Sequence, residues 1–466
     1  MKPIKLPKVS DKPMHDAIDP LDGRYYDPEI AKFLSERSTI AYKAYVEVAL
    51  AHNLADFKIC SDADAQAIEA AAAKVTAEEV TEEEKATKHD IKALVNAIKK
   101  YTGEDAGRFV HFGATSYDIV STATSLQFRA AANELIIPRG RKLLKTLVDL
   151  TGRYADTPQI GRTHGQHAVP ITFGFVMSQY VSRLGKSLKS VEYKANHLKG
   201  KFSGAVGAYN ALSVFVDDPL EFEKKFLEKL GLESSESSTQ IVPPDNMVRL
   251  LDELAIIAGI MANLAHDMRH LQRTEIAEIR EKFEEGQTGS STMAHKRNPI
   301  SFENVASLHK QVLSQILNAN LNLTSEHQRD LTDSASARFY GVPVATVAVM
   351  LSRLNSALSK IEVDEANMQR NLAMSGGAIA AEPLYLMLAK YGHTSAHEKS
   401  KELAHQALDS NQPLVEAIAA DTEAKTYWDK FTEMEKQIIT EPQKYYLGLA
   451  SEKANAIASN WHKNLN

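Results

Sequence analysis

Residues 247–280 run without a proline and with one glycine, Gly259. Leu250, Leu251, Leu254, Ile257, Ala258, Met261, Leu264, Ala265, Met268 and Leu271 recur there at spacings of three and four. That is the period of a helix face. A helix through the whole stretch would extend roughly 50 Å, a length suited to a bundle or an oligomer core rather than a compact globule. Similar patterns occupy residues 118–154, 171–198, 304–323 and 344–363, and strand alternation is scarce. The expected fold is therefore all-α. Thr81-Glu82-Glu83-Glu84 reads as a capping box opening a helix that includes Lys88, His89 and Asp90. Breaks in the pattern divide the chain into an N-terminal helical domain (1–114), a central long-helix bundle (115–365) and a C-terminal helical domain (366–466).

Composition narrows the function. The chain has 466 residues, is 44% hydrophobic and carries a net charge of −6. It has no basic field for nucleic acid. Cys60 is the only cysteine, so no internal disulfide and no Cys–Cys zinc pair can form, and a reducing, cytoplasmic setting is expected. The N-terminal MKPIKLPKVSDKPM lacks the apolar core of a secretory signal. The longest apolar run, residues 254–265, falls short of the ~20 residues that span a bilayer.

Five polar clusters stand at helix ends, where a rigid scaffold commonly presents functional groups. They are Asp22-Gly23-Arg24-Tyr25-Tyr26, Lys88-His89-Asp90, His111 through Ser116, Gly161 through His167, and His327 through Arg338. Each also has a plainer reading. Arg24 and Tyr25 fit a turn begun by Asp22-Gly23. His89 fits a surface helix, and Thr115-Ser116 an N-cap. Arg329 and Arg338 fit a solvated face or a salt bridge. His164 and His167 lie three apart, but no third ligand of suitable spacing accompanies them, so no metal is expected.

A sixth cluster gives these five a shared meaning. Residues 289–299 read GSSTMAHKRNP: two hydroxyls on a flexible segment, then His295, Lys296 and Arg297, then Asn298-Pro299. A site that removes a proton beside a carboxylate uses both halves of that pattern. A hydroxyl takes the proton, and the cations hold the charge that develops.

This loop (286–299) resembles the signature of the fumarase/aspartase/argininosuccinate lyase superfamily, and within it the adenylosuccinate lyase family. The features that carry the resemblance are HKRNP, RTHGQHA at 162–168, DGRYY at 22–26, KHD at 88–90, TSYD at 115–118 and RDLTDSASAR at 329–338. They span nearly the whole chain. One departure is Ala294, where the family usually has proline; Ala frees the backbone but removes no chemical group.

The resemblance implies three helical domains, a homotetramer with a shared central bundle, and active sites built where several subunits meet. It implies β-elimination of fumarate from adenylosuccinate, giving AMP, and from succinyl-aminoimidazole carboxamide ribotide, giving AICAR. No cofactor is needed, because the substrate carboxylate takes up charge as an aci-carboxylate. By the same resemblance Ser290 is the general base and His164 the general acid. Lys296 supplies the activating field, with Arg297 beside it, while Ser291 and Asn298 add hydrogen bonds. His89, and with it His111, orients substrate or tunes His164. Arg24, Arg329 and Arg338 suit a phosphate, with Tyr25 and Ser334 adding hydroxyls. Lys88, Asp90, Thr115, Ser116, Gln240 and Asn304 match substrate-contact positions. Two alternatives stay open: another lyase of the superfamily, such as argininosuccinate lyase or a carboxymuconate cycloisomerase, and a non-catalytic helical oligomer.

Overall fold

The computed structural model describes residues 17–282, 292–293 and 295–465. The fold is all-α. Long helices dominate it: Phe173–Asn196, Asp245–Leu271, Ile300–Leu321 and Gly341–Leu358. Among the described residues, β-structure is confined to three two-stranded pairs. Two compact units can be distinguished, each drawn from three separate stretches of chain.

Of the described residues, the first unit comprises 17–140, 187–259 and 307–351. Its core gathers Val46, Leu50 and Leu54 from the Glu36–Asp56 helix, Ile68 from Asp62–Ala72, and Ile91 and Leu94 from Asp90–Tyr101. Phe202 packs there against Phe222 and Phe226, with ring centroids 5.5 and 5.0 Å away. Each fully buried phenyl ring contributes ~1.5–3 kcal/mol of apolar burial. The Ser116–Ala131 helix continues through a π-helical turn, Ala132–Ile136, into Ile137–Arg153. Pro138 supplies the reason: it has no N–H to return to the preceding turn, so the ladder widens just before it.

Of the described residues, the second unit comprises 141–186, 260–282, 292–293, 295–306 and 352–465. Leu384, Leu388, Leu403, Leu414 and Ile418 form the main core of its C-terminal helices. Its largest β-element is the antiparallel hairpin of Pro158–Thr163 and Gln166–Thr172. Ile160 of that hairpin packs with Leu372 and Ile379. Gly185 faces the indole of Trp461, where an added β-carbon would come within 2.4 Å of the ring.

Two sequence expectations are corrected. The stretch 247–280 is not one helix. Helix Asp245–Leu271 stops, and Ile279–Arg280 forms a short strand against Glu362–Val363. Leaving the helix lets Glu278, between them, become a buried ion-pair partner. The capping box also sits five residues earlier than expected. Thr76 and Glu79 cap each other at the start of Ala77–Thr87. Thr81 instead bonds back to the Ala77 carbonyl at 2.9 Å, inside the helix. Lys88-His89 therefore joins two helices rather than lying within one.

Candidate active site

In the first unit the helix ends bring most of the predicted polar clusters together. Lys88 ends the Ala77–Thr87 helix in the left-handed region at φ 54°, which lets the chain turn at once into the next helix. His89 caps that helix, Asp90–Tyr101, its Nδ1 accepting from the Lys92 N–H at 3.3 Å. With Nδ1 an acceptor, the ring proton is assigned to Nε2. Nε2 lies 3.4 Å from the Ser116 hydroxyl. Asp90 accepts from the Lys43 ammonium at 2.7 Å. Burial alone would raise the Asp90 carboxyl, but Lys43 and the Ile91 N–H hold it below its ordinary value.

His111 sits on strained left-handed backbone, φ 64°. Its Nδ1 lies 2.7 Å from Oε1 of Glu47, a residue only 1% exposed. Burial pushes the imidazole pKa down, yet the hydrogen bond and charge of Glu47 outweigh it and leave the pKa raised. Thr115 is the N-cap of Ser116–Ala131, so the capping reading of this turn is correct. Its N–H donates to Asp118 at 2.8 Å. Asp118 is fully buried and also accepts from the N–H groups of Ser203 and Gly204 and from the buried Lys201 ammonium. That ion pair fixes the Thr115-Ser116 turn against residues 201–204.

The segment 327–338 meets the same region. The Arg329 guanidinium lies over the Tyr117 ring, 4.3 Å from its centroid, and its Nη2 donates to the Tyr117 hydroxyl at 2.6 Å. Gln240 N–H donates to the Gln328 carbonyl at 3.3 Å. Ser334 Oγ turns back to the Leu331 carbonyl. Tyr25 and Arg338 line one cleft of about 200 Å³ with Asp22 and Asp27. Arg24, next to Tyr25, is exposed.

The second unit presents His164 at the tip of the hairpin. His164 and Gly165 both have positive φ, 52° and 76°, the conformation of a two-residue turn that matches strand twist. His164 is exposed. Behind it, Arg162 reaches Glu278 with both arms, Nη2 to Oε1 at 2.6 Å and Nη1 to Oε2 at 3.1 Å. Glu278 also accepts from Gln159 and Asn371. Burial and Arg162 together depress the His167 pKa. Residues 165–169 line an open cleft of about 660 Å³ with Met374, Ser375 and Glu382.

Ser290, Ser291 and Ala294 lie outside the described residues. After them, the Lys296 N–H bonds to the Met293 carbonyl, and the Arg297 carbonyl accepts from Gln272. Asn298 precedes helix Ile300–Leu321, whose first turns carry Asn304. Among the described residues, no three His, Cys, Asp or Glu side chains are grouped to hold a metal.

Sequence reasoning did not single out Glu47, Lys43 or Glu278, and it read Tyr117 only as part of TSYD. Each acts through a partner far away in sequence. The cue within the chain was that a lone charged residue, such as Lys43 or Glu47, interrupts an apolar pattern.

Residues 13–314 match the lyase family, and residues 325–439 match the adenylosuccinate lyase C-terminal family. An adenylosuccinate lyase of Archaeoglobus fulgidus is 36% identical over 94% of this chain and 98% of its own. One from Pyrococcus abyssi is 37% identical over 88% of this chain and 92% of its own. Among solved structures, a fumarate lyase from Mesorhizobium sp. BNC1 superposes with a TM-score of 0.83 at 26% identity, covering 93% of this chain and 98% of that one. A 3-carboxy-cis,cis-muconate lactonizing enzyme from Pseudomonas putida also reaches 0.83 at 26% identity, covering 94% and 98%.

Proposed function

This chain belongs to the adenylosuccinate lyase family, and we propose that it eliminates fumarate from adenylosuccinate, giving AMP, and from succinyl-aminoimidazole carboxamide ribotide, giving AICAR. The observation that carries the reading is the run of relatives named for this activity, matched along nearly the full length of both chains. The clustering of KHD, TSYD and RDLTDSASAR side chains in one unit supports it.

In this mechanism Ser290 removes the proton from the carbon beside a succinyl carboxylate. A hydroxyl is a poor base at neutral pH, so it needs nearby positive charge and backbone amides to act as an alkoxide. Lys296 supplies that charge, with Arg297 adding to it, and both stabilise the aci-carboxylate. His164, on a tight exposed turn, protonates the departing amine; an imidazole suits the task near neutral pH. General acid and base contribute ~10²–10⁴ each. Enzymes in general reach total accelerations of roughly 10⁶–10¹⁷. Electrostatic stabilisation of the carbanion therefore carries much of the remainder.

His89, His111, Lys88, Asp90, Thr115, Ser116 and Gln240 contact or orient substrate in this reading, as do Ser291, Asn298 and Asn304. Arg24, Tyr25, Arg329, Ser334 and Arg338 hold the phosphate. We also propose a homotetramer. Leu313, Leu317 and Leu321 repeat at intervals of four and are all exposed, an apolar stripe that assembly would cover. We place the reaction in the cytoplasm.

The test is the loss of adenylosuccinate absorbance with purified protein, run beside argininosuccinate. Turnover of adenylosuccinate is expected. Cleavage of argininosuccinate instead would transfer the chain to another branch of the superfamily.

A further inference from the structure

We propose that Tyr117 is a positioning residue that presets Arg329 for the phosphate of the nucleotide substrate; the proposal rests on the function proposed above. Tyr117 is the second residue of the Ser116–Ala131 helix, directly after a substrate-contact candidate. It is tied to Arg329, 212 positions away in sequence. The guanidinium is held in two ways at once: its central carbon lies over the ring, and its Nη2 donates to the phenol oxygen.

The Arg329 side chain is only 6% exposed. Asp333 Oδ1 approaches Nη1 to 2.7 Å, but at an angle that makes no hydrogen bond. Neither Nη1 nor Nε of Arg329 has a hydrogen-bond partner in the structure. A buried guanidinium with idle donors is costly unless something accepts from them. A bidentate oxyanion is the ligand that a planar fork fits best.

The division of roles follows from these contacts. The ring packs against the guanidinium, and the hydroxyl anchors Nη2. Asp333 balances the charge while no ligand is bound. Because the phenol oxygen accepts from Arg329, its own hydrogen stays available to a phosphate oxygen. Burial raises the Tyr117 pKa, so the phenol keeps that hydrogen at neutral pH. The charged groups facing it are Arg329, Asp333 and Asp90. An arginine fixed in advance loses less side-chain freedom when the anion arrives, so the hydroxyl strengthens binding without touching the reacting atoms.

The experiment compares AMP with adenosine by titration calorimetry on the full chain, for wild type, Tyr117→Phe and Tyr117→Leu. Tyr117→Phe keeps the ring and removes the hydroxyl. It is expected to weaken AMP roughly tenfold, the worth of one hydrogen bond to a charged group, and to leave adenosine unchanged. Tyr117→Leu loses the stacking as well and weakens AMP further. In steady state the KM for adenylosuccinate rises while kcat stays within about twofold. Added to Arg329→Lys, Tyr117→Phe should cause no further loss. Wild-type AMP affinity in Tyr117→Phe, or equal losses for AMP and adenosine, would overturn the proposal. A wild-type protein that neither binds AMP nor turns over adenylosuccinate would remove the nucleotide reading itself, and this proposal with it.

Discussion

Arg162 and Glu278 hold each other through two parallel contacts, with the carboxylate fully buried and the guanidinium on the strand that leads to His164. Glu278 thereby ties the hairpin to the residues that follow the Asp245–Leu271 helix, and through Asn371 to the Glu365–Ala373 helix. Glu278→Ala strands a buried cation and two amides. We expect it to destabilise the protein by ~3–5 kcal/mol. Denaturant melts followed by circular dichroism measure this, and an unchanged midpoint would show the pair to be dispensable.

Glu47 and His111 predict a pH-dependent difference. The imidazole pKa is raised in the folded state, so the stabilisation it brings is complete below its ordinary value of 6.5. It is lost as pH rises through the raised value. Glu47→Gln removes the charge that sustains this. The gap in melting temperature between wild type and Glu47→Gln should be widest below pH 6.5 and should close as pH rises through the raised value. A gap independent of pH would mean that Glu47 acts by packing alone.

The Asp118–Lys201 pair should behave as a unit. Both side chains are fully buried. Asp118→Asn or Lys201→Met alone leaves a charge without its partner, at ~3–5 kcal/mol each. The double variant should lose much less than the sum of the two. Additive losses would place the two residues in separate roles.

Ser290→Ala and His164→Ala should each lower turnover by ~10²–10⁴, the usual contribution of a general acid or base. Size-exclusion elution should not change, since each substitution removes a reacting group and adds no bulk. Near-normal turnover in Ser290→Ala would rule out serine as the base.

The helices were legible because apolar spacing reports which face is buried. Residues 171–198 read as helical from spacing alone, and Phe173–Asn196 is a helix. Spacing is blind to where a helix must end. The named apolar residues end at Leu271, but no proline marks a stop before residue 280, and Glu278 pairs with Arg162 only once the backbone has left the helix. Capping signals were ambiguous for a different reason. Thr76-x-x-Glu79 and Thr81-x-x-Glu84 fit one pattern, and the structure tells them apart: the Thr81 hydroxyl donates back to the Ala77 carbonyl, while Thr76 and Glu79 cap each other. In the candidate site, the clusters could be read because motif residues are contiguous. Their supports could not: Glu47 meets His111 across 64 positions, and Tyr117 meets Arg329 across 212. Such pairings are set by packing and leave no mark in local sequence.

The notch at Gly185 and the indole of Trp461 are complementary in shape. Neither position can drift alone, since a methyl at 185 would strike the ring and a smaller side chain at 461 would leave a void. A library randomising both codons at once should return matched pairs, with bulk gained on one side wherever it is surrendered on the other.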